Sequence, residues 1–454
     1  MSFAKTLSVL LALFCLASFR CAAATSPADV DNLLMMAVGS GDTGKAEALI
    51  AQGANVNAKS KDDFGRTPLM EAVANVRSQN MRSMVQALLA HGADLNAQDN
   101  NGTTPLMFAV DLSSADLLLS ERPDLTIRDK QGRTALLWAI SQGSPPLVAA
   151  LLTHGADASD ADKEGETALM MASEGKSGSM VIPLLLAKGV AVDGRDSYGQ
   201  TALIYAAGED LPENIRLLLR AGANVNARTK GSMTPLLEAA QMYADLTTLK
   251  VLLQAGAAIN VQDSKDNTAL KYSLRMAISD EQVATFLLQH GANPNLADSD
   301  GDTPMIQAIS AGHAPNFLTF LVTHGAKLNA QDKAGQTALM VAAGLQDTDS
   351  IARLLLLGAD TTIKDKDGAT ALFYAVTNKY GFRVQVSIES PPNQLPDPKT
   401  LPFNEMMLAS LKILQKQKTY LNVRDKDGKT VLAYAKAENH LKLVAELEKA
   451  GAKE

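Results

Sequence analysis

The sequence predicts an all-α fold: a solenoid of about twelve helix–turn–helix units, joined by β-turns and broken by one insertion. Three observations predict it. A head of the form Thr-Pro/Ala/Val-Leu/Met recurs at Thr67, Thr104, Thr134, Thr167, Thr201, Thr234, Thr268, Thr303, Thr337, Thr370 and Thr430, at steps of 37, 30, 33, 34, 33, 34, 35, 34, 33 and 60 residues. A Gly-Ala or Gly-Val tail closes most units, at Gly53, Gly92, Gly155, Gly189, Gly222, Gly256, Gly291, Gly325 and Gly358. Between head and tail, apolar residues fall at helical spacings of three and four. Such a period marks stacked units, none of which can bury its apolar face alone.

Residues Asp196 to Lys230 show one unit in full. Asp196-Ser197-Tyr198-Gly199 has the Asp opener and closing Gly of a type I turn, and the Thr201 hydroxyl is placed to cap the helix that follows. Leu203, Ala206 and Ala207 give that helix a narrow face with small residues, so a second helix can approach closely. Ile215, Leu218 and Leu219 supply the facing stripe. Gly222 then ends the second helix, since glycine adopts the left-handed C-cap conformation at little cost. Ala223 to Lys230 are expected to run extended toward the next turn.

The heads, tails and period resemble those of the ankyrin repeat family, whose unit is a β-turn plus two helices of about 33 residues with a Thr-Pro-Leu-His-x-Ala head. The resemblance covers nearly the whole chain after its first residues. One departure is systematic: where the family has histidine, this chain has Met70, Met107, Leu137, Met170, Ile204, Leu237, Lys271, Ile306, Met340, Phe373 and Ala433. The ring hydrogen bonds of that histidine are lost, and apolar packing is expected to hold neighbouring turns together.

At the ends the pattern changes. The unit from Asp31 to Asn57 lacks a Thr head, and the last, from Thr430 to Glu454, is rich in charge; both read as caps. Ahead of them, Lys5, a mostly apolar run from Leu7 to Phe19 and the small residues Ala22-Ala23-Ala24 have the form of a cleaved signal peptide over residues 1–24. An uncleaved anchor is the alternative, but the run is short of the about 20 residues a membrane span needs. Phe19 and Arg20 before Cys21 argue against a lipoprotein. Exported bacterial relatives are what this leader suggests, with a periplasmic or extracellular destination.

Composition agrees with export. Both cysteines, Cys15 and Cys21, lie in the leader, so the chain after it has no thiol to oxidise. The formal charge is −7, and the leader holds Lys5 and Arg20 but no acid, so its removal leaves −9. An acidic chain is a poor binder of nucleic acid or anionic membrane. A monomer is expected.

The array, 25–377 with its N-terminal cap, resumes over 405–454 after a Pro-rich insertion at 378–404. A smaller break, NVRSQNMRSM between Ala74 and Met84, is expected to lengthen a turn between helices. In the insertion, Phe382, Val384, Val386 and Ile388 alternate with polar residues before five prolines, from Pro391 to Pro402, forbid regular structure. Asn404 is placed to cap a helix whose Met407, Leu408, Leu411 and Leu414 restore the outer stripe. A loop of this length is either functional or disordered.

Several motifs are near misses. Gly39 to Ala46 nearly spells a phosphate-binding loop, but Ala46 follows the lysine where a hydroxyl is required and a helical run precedes it. Asp298, Asp300 and Asp302 resemble the start of a calcium loop without its glycine and bidentate acid, and fit a hairpin tip better. His91, His154, His290 and His324 each precede a Gly-Ala tail, where they suit the last carbonyls of a helix. No set of nucleophile, base and acid, no metal-ligand cluster and no cofactor motif is present, so no catalytic or metal-binding residues are assigned.

One column remains. The residue after the missing histidine reads Glu71, Phe108, Trp138, Met171, Tyr205, Glu238, Tyr272, Gln307, Val341, Tyr374 and Tyr434, and six of these eleven are aromatic. The resemblance implies that this column lies on the inner helices, beside the groove where such proteins hold partners. Phe108, Trp138, Tyr205, Tyr272, Tyr374 and Tyr434, extended at the tips by Phe64, Tyr198 and Met233, are therefore the candidate contacts for a protein partner. The competing reading is that the rings stack between repeats and stiffen the array. The function expected is a non-enzymatic scaffold that binds a protein after export; a ligand or catalytic site on insertion 378–404, and a plain spacer, are the alternatives.

Overall fold

Thr heads and Gly tails mark out helical hairpins, and hairpins are what form. The computed structural model describes residues 27–74, 81–110, 112–275, 281–377, 408–414 and 421–454. The leader, the insertion 378–404 and the expected cap at Asn404 lie outside the described residues. Two compact units divide the chain between Ser197 and Tyr198. No strand is present among the described residues, only isolated bridges such as Ala161 to Thr167.

In the first unit the inner helices are Pro27–Ser40, Pro68–Ala74, Ala135–Ser141 and Ala168–Glu174, with a 3-10 turn, Pro105–Phe108, in the third repeat. Their outer partners are Thr43–Ala51, Met81–Ala90, Leu112–Ser120, Pro145–Thr153 and Gly178–Leu186. The 3-10 turn has a plain cause: the step from Thr104 to Thr134 is 30 residues, three short of the modal period, and the inner helix is where the loss falls. Residues 81–84 of the expected long turn are helical, and 75–80 lie outside the described residues. Gly39 to Ala46 falls in the first hairpin's turn, with Asp42 accepting the Lys45 N–H at 3.0 Å as an N-cap.

The second unit repeats the scheme from Ala202–Gly208 and Pro212–Arg220 through Pro235–Gln241, Ala269–Ser273, Pro304–Ser310, Ala338–Gly344 and Ala371–Val376 to Val431–Ala437 and Leu441–Lys449. Inner helices pack on inner, and outer on outer. Leu203, Ala206, Ala207, Ile215 and Leu218 are fully buried as expected. Leu219 is only half-buried, and Asn214 is buried in its place. Residues 408–414 are helical; of the expected stripe Leu411 and Leu414 are buried, Leu408 is half-buried and Met407 lies outside the described residues.

Two local expectations fail. Thr201 places no cap: its hydroxyl is buried without a partner among the described residues, whereas Thr67, Thr167, Thr234, Thr268, Thr303, Thr337 and Thr430 each accept the N–H three residues on. Ala223 to Lys230 does not run extended, because Asn224 starts a turn closed by the Ala227 N–H at 3.0 Å.

That turn carries a ladder between repeats that the tails alone did not announce. The asparagine four residues after the tail glycine accepts a backbone N–H in the next tail and donates to its glycine carbonyl. Asn57 bonds Asp94 N (2.8 Å) and Gly92 O (3.1 Å); Asn226 bonds Ala258 N (2.8 Å) and Gly256 O (3.1 Å); Asn295 bonds Lys327 N (2.7 Å) and Gly325 O (2.8 Å). A second ladder joins hairpin tips through backbone alone: Lys130 N to Asn101 O, Lys163 N to Gln131 O, Lys333 N to Asp300 O and Lys366 N to Ala334 O, all at 2.8–3.0 Å.

Tip rungs this short need a tip without a side chain. Gly335 has φ +84°, and a Cβ there would lie 2.9 Å from Lys366 N and 3.0 Å from the Cα of Asp365. Gly335→Ala therefore combines left-handed strain with a backbone collision, and is expected to destabilise the second unit by about 1–3 kcal/mol, measured by urea unfolding.

Candidate functional site

Most hairpin tips are shaped by one aspartate. Its Oδ1 accepts the N–H groups two and four residues on: Asp129 from Gln131 (2.9 Å) and Arg133 (2.8 Å), Asp365 from Asp367 (2.9 Å) and Ala369 (2.8 Å), Asp425 from Asp427 (3.0 Å) and Lys429 (2.9 Å). Asp298 does the same for Asp300 and Asp302, which makes the triple-aspartate stretch a hairpin tip as expected. One oxygen of the carboxylate is left over.

The aromatic column takes it. Nine residues after its aspartate, the Trp138 indole N–H donates to Asp129 Oδ2 at 2.9 Å, the Tyr374 hydroxyl to Asp365 Oδ2 at 2.7 Å and the Tyr434 hydroxyl to Asp425 Oδ2 at 2.6 Å; Tyr272 donates to Asp263 in the same way. Tyr374 also accepts from Gln336 Nε2 of the preceding tip at 2.8 Å. Burial, and the aspartate beside each, hold the Tyr272 and Tyr374 hydroxyls well above the usual tyrosine range. These rings lock each tip to its own inner helix.

This changes the candidate list. Tyr272, Tyr374 and Tyr434 are 4%, 3% and 6% exposed, so the expectation that they face a partner does not hold for them. Phe108, Trp138, Tyr205 and Met233 are half-buried. Among the candidates, Phe64 and Tyr198 are the rings that stand out, 50% and 63% exposed, each at the third position of a hairpin tip. Their backbones are anchored, since Phe64 O accepts Asn100 N at 2.8 Å and Tyr198 O accepts Lys230 N at 3.0 Å.

In the first unit, cations cover the rings. The Arg66 guanidinium sits 5.2 Å from the Phe64 ring and 4.7 Å from that of Phe108, which brings two repeats together, and Arg133 lies 4.3 Å over Trp138 while paired with Asp129 at 2.9 Å. The next tip is acidic. Burial, then the charges of Glu174, Asp162, Asp196 and Glu164, push the Glu166 carboxyl up to about 7.

The column of missing histidines also behaves differently from expectation. At Met70, Met170 and Met340 the sulfur accepts the head Thr N–H at 3.4 Å, returning the cap bond. At Lys271 apolar packing gives way to an ammonium, which donates to Asp298 and to Asp302 O in the next tip. The tail histidines stand where expected: the Nδ1 atoms of His154, His290 and His324 lie 2.8, 2.8 and 2.9 Å from the carbonyls four residues back.

Two measurements test these assignments. Tyr374→Phe leaves Asp365 Oδ2 and Gln336 short of a partner, and is expected to cost about 1–3 kcal/mol in chemical unfolding. Glu166 has its pKa raised in the fold, so its charge destabilises once the pH has climbed from its unfolded value through about 7. Glu166→Gln is expected to raise the melting temperature by a few degrees at pH 8 and to leave it unchanged at pH 4.

The comparisons with known proteins agree with this architecture. The family model described as "Ankyrin repeats (3 copies)" matches at residues 10–99, 34–129, 74–162, 111–185, 158–229, 236–332, 274–365 and 314–385, well over half of the chain. Similar stretches occur in the 2-5A-dependent ribonuclease of Mus musculus, 39% identical over 79 residues, which are 17% of this chain and 10% of that protein. The putative ankyrin repeat protein L271 of Acanthamoeba polyphaga mimivirus is 40% identical over 70 residues, 15% of this chain and 9% of that protein. The human ankyrin repeat domain-containing protein 63 is 34% identical over 65 residues, 14% of this chain and 17% of that protein. Each match spans less than a fifth of the relative's own length, so the likeness concerns the repeats. With its Thr heads, aspartate-shaped tips and paired helices, the chain belongs to the ankyrin repeat family.

Proposed function

We propose that this protein is a non-enzymatic scaffold that, once exported, holds a partner protein through the hairpin tips and inner helices of its repeats. Ankyrin repeats generally mediate protein–protein interaction and are typically non-enzymatic. The observation that carries the reading is the pair of exposed rings, Phe64 and Tyr198, each fixed at a tip whose backbone is bonded to the next tip. A large ring with few rotatable bonds on a rigid tip loses little entropy on binding, which is how interface anchors work. Among the described residues no helix is long and apolar enough to cross a membrane.

Phe108 and Trp138, in the first unit, and Tyr205 and Met233, in the second, are the half-buried contacts of the same reading, while Tyr272, Tyr374 and Tyr434 hold the tips of their own repeats. The leader supports export, and a periplasmic or extracellular destination follows from it. A protein of the cell envelope is the partner class this favours.

The test separates binding from stability. The chain without residues 1–24 is used as bait on an envelope fraction, beside Phe64→Ala and Tyr198→Ala variants. Each substitution is expected to weaken capture of the same partner by about tenfold, since truncating an anchor costs over 1 kcal/mol, at an unchanged melting temperature. A partner held equally by both variants would overturn the reading.

A further inference from the structure

Three residues of the column after the missing histidines are met by a cation from their own hairpin tip, each time from five residues back. Arg66 Nη1 lies 3.7 Å from Glu71 Oε2, the Arg133 guanidinium 4.3 Å over the Trp138 ring and the Lys429 ammonium 5.4 Å from the Tyr434 ring. In the repeat headed by Thr234 the column residue is an acid, Glu238, and the position five residues back is Met233. The Met233 sulfur lies 3.8 Å from the Tyr272 hydroxyl of the following repeat, and Arg275 is stacked 4.7 Å over that same Tyr272 ring. Neither reaches Glu238 with a charge. Its carboxylate is half-buried on an inner helix and has no hydrogen-bond or ion-pair partner among the described residues. The side chain lies across the end of the preceding inner helix, where a Cβ on Gly208 would stand 3.4 Å from Glu238 Cγ and 3.6 Å from its Oε1.

Beside this carboxylate the surface is apolar. Met242, four residues on and so on the same helix face, is 53% exposed, and Tyr243 next to it is 44% exposed. Tyr243 has φ +58°, at a turn position that Gly143 and Gly312 hold in other repeats, so a bulky ring is kept outside in a strained conformation. Resting on the scaffold reading above, we propose that the partner protein supplies the missing cation: an arginine or lysine whose aliphatic stem lies on Met233 and Met242 and whose charged head pairs with Glu238. Long basic side chains are built for such a place, apolar along the stem and charged at the end, and thioethers adapt to the stem's shape. Burial pushes the Glu238 carboxyl above its ordinary value, the mark of a charge that has lost water and gained no counter-charge in return. Glu71 shows that an acid in this column takes a cation when its own tip offers one. At Glu238 the tip offers methionine, so the cation has to come from outside.

The probe is a random peptide library displayed on phage, selected in parallel on the chain without residues 1–24 and on its Glu238→Gln variant. Peptides retained by the unchanged chain are expected to share an arginine or lysine at one position, and those retained by the variant to lack it. For a selected peptide, replacing that residue by citrulline or norleucine should weaken binding to the unchanged chain by about tenfold and leave binding to the Glu238→Gln variant as it was. Met233→Arg, which places a cation as Arg66 is placed for Glu71, should weaken the same peptide by a similar factor without lowering the melting temperature. Retained peptides with no shared basic position, or a basic position that both forms select equally, overturn the proposal. If those peptides are still lost on Tyr198→Ala, the scaffold reading stands without this one; a library from which neither form retains a peptide overturns both.

Discussion

In most repeats a single carboxylate organises the tip. A four-residue turn leaves backbone N–H groups pointing inward, and an unpartnered buried donor costs as much as a lost hydrogen bond. The aspartate at the turn's start covers two of them with a single oxygen, as Asp365 does for Asp367 and Ala369. Its second oxygen then needs a donor of its own, and what supplies it decides how the tip joins the helices. At Asp365 and Asp425 a tyrosine of the same repeat supplies it; at Asp298 a lysine of the preceding repeat does. Where the opener is Thr229, the hydroxyl takes over, accepting Met233 N at 3.0 Å.

The period made the fold legible because stacked hairpins obey local rules: Thr opens a helix, glycine closes one, and small residues let two helices approach. The aromatic column was equally visible, but its direction was not. A tyrosine on a helix face can point its hydroxyl at solvent or at a carboxylate nine residues back, and the two look alike in one repeat. The recurring spacing from Asp129 to Trp138, Asp263 to Tyr272, Asp365 to Tyr374 and Asp425 to Tyr434 is the signal that resolves it. The asparagine ladder had a signal too, in Gly53 to Asn57, Gly222 to Asn226 and Gly291 to Asn295. Thr201 shows the limit, since a capping residue in the right place still formed no cap.

Those bonds divide the rings into two kinds. Trp138, Tyr272, Tyr374 and Tyr434 are drawn into their own tips, because leaving the aspartate oxygen bare would cost more than the ring gains outside. A ring on the tip itself sits beyond the reach of that oxygen and stays at the surface, as Phe64 and Tyr198 do. Phe108 lies between the two cases, without a donor and half-covered by Arg66. The structural reading of the column therefore holds for Tyr272, Tyr374 and Tyr434, and the recognition proposed above rests on tip rings outside the column.

A stack in which each repeat touches only its neighbours also explains why conflicts can be tolerated. Stability is close to a sum of repeat and seam terms, so a seam weakened by charge draws on its neighbours for support without altering their own contacts. Glu166, in the first unit, and Asp302, in the second, are two such conflicts: half-buried acids, each with its carboxyl pushed up by burial and by neighbouring acids. In a globular core the same charges would disturb packing across the domain. Here the cost stays at one junction, because the repeats beyond it keep their own contacts.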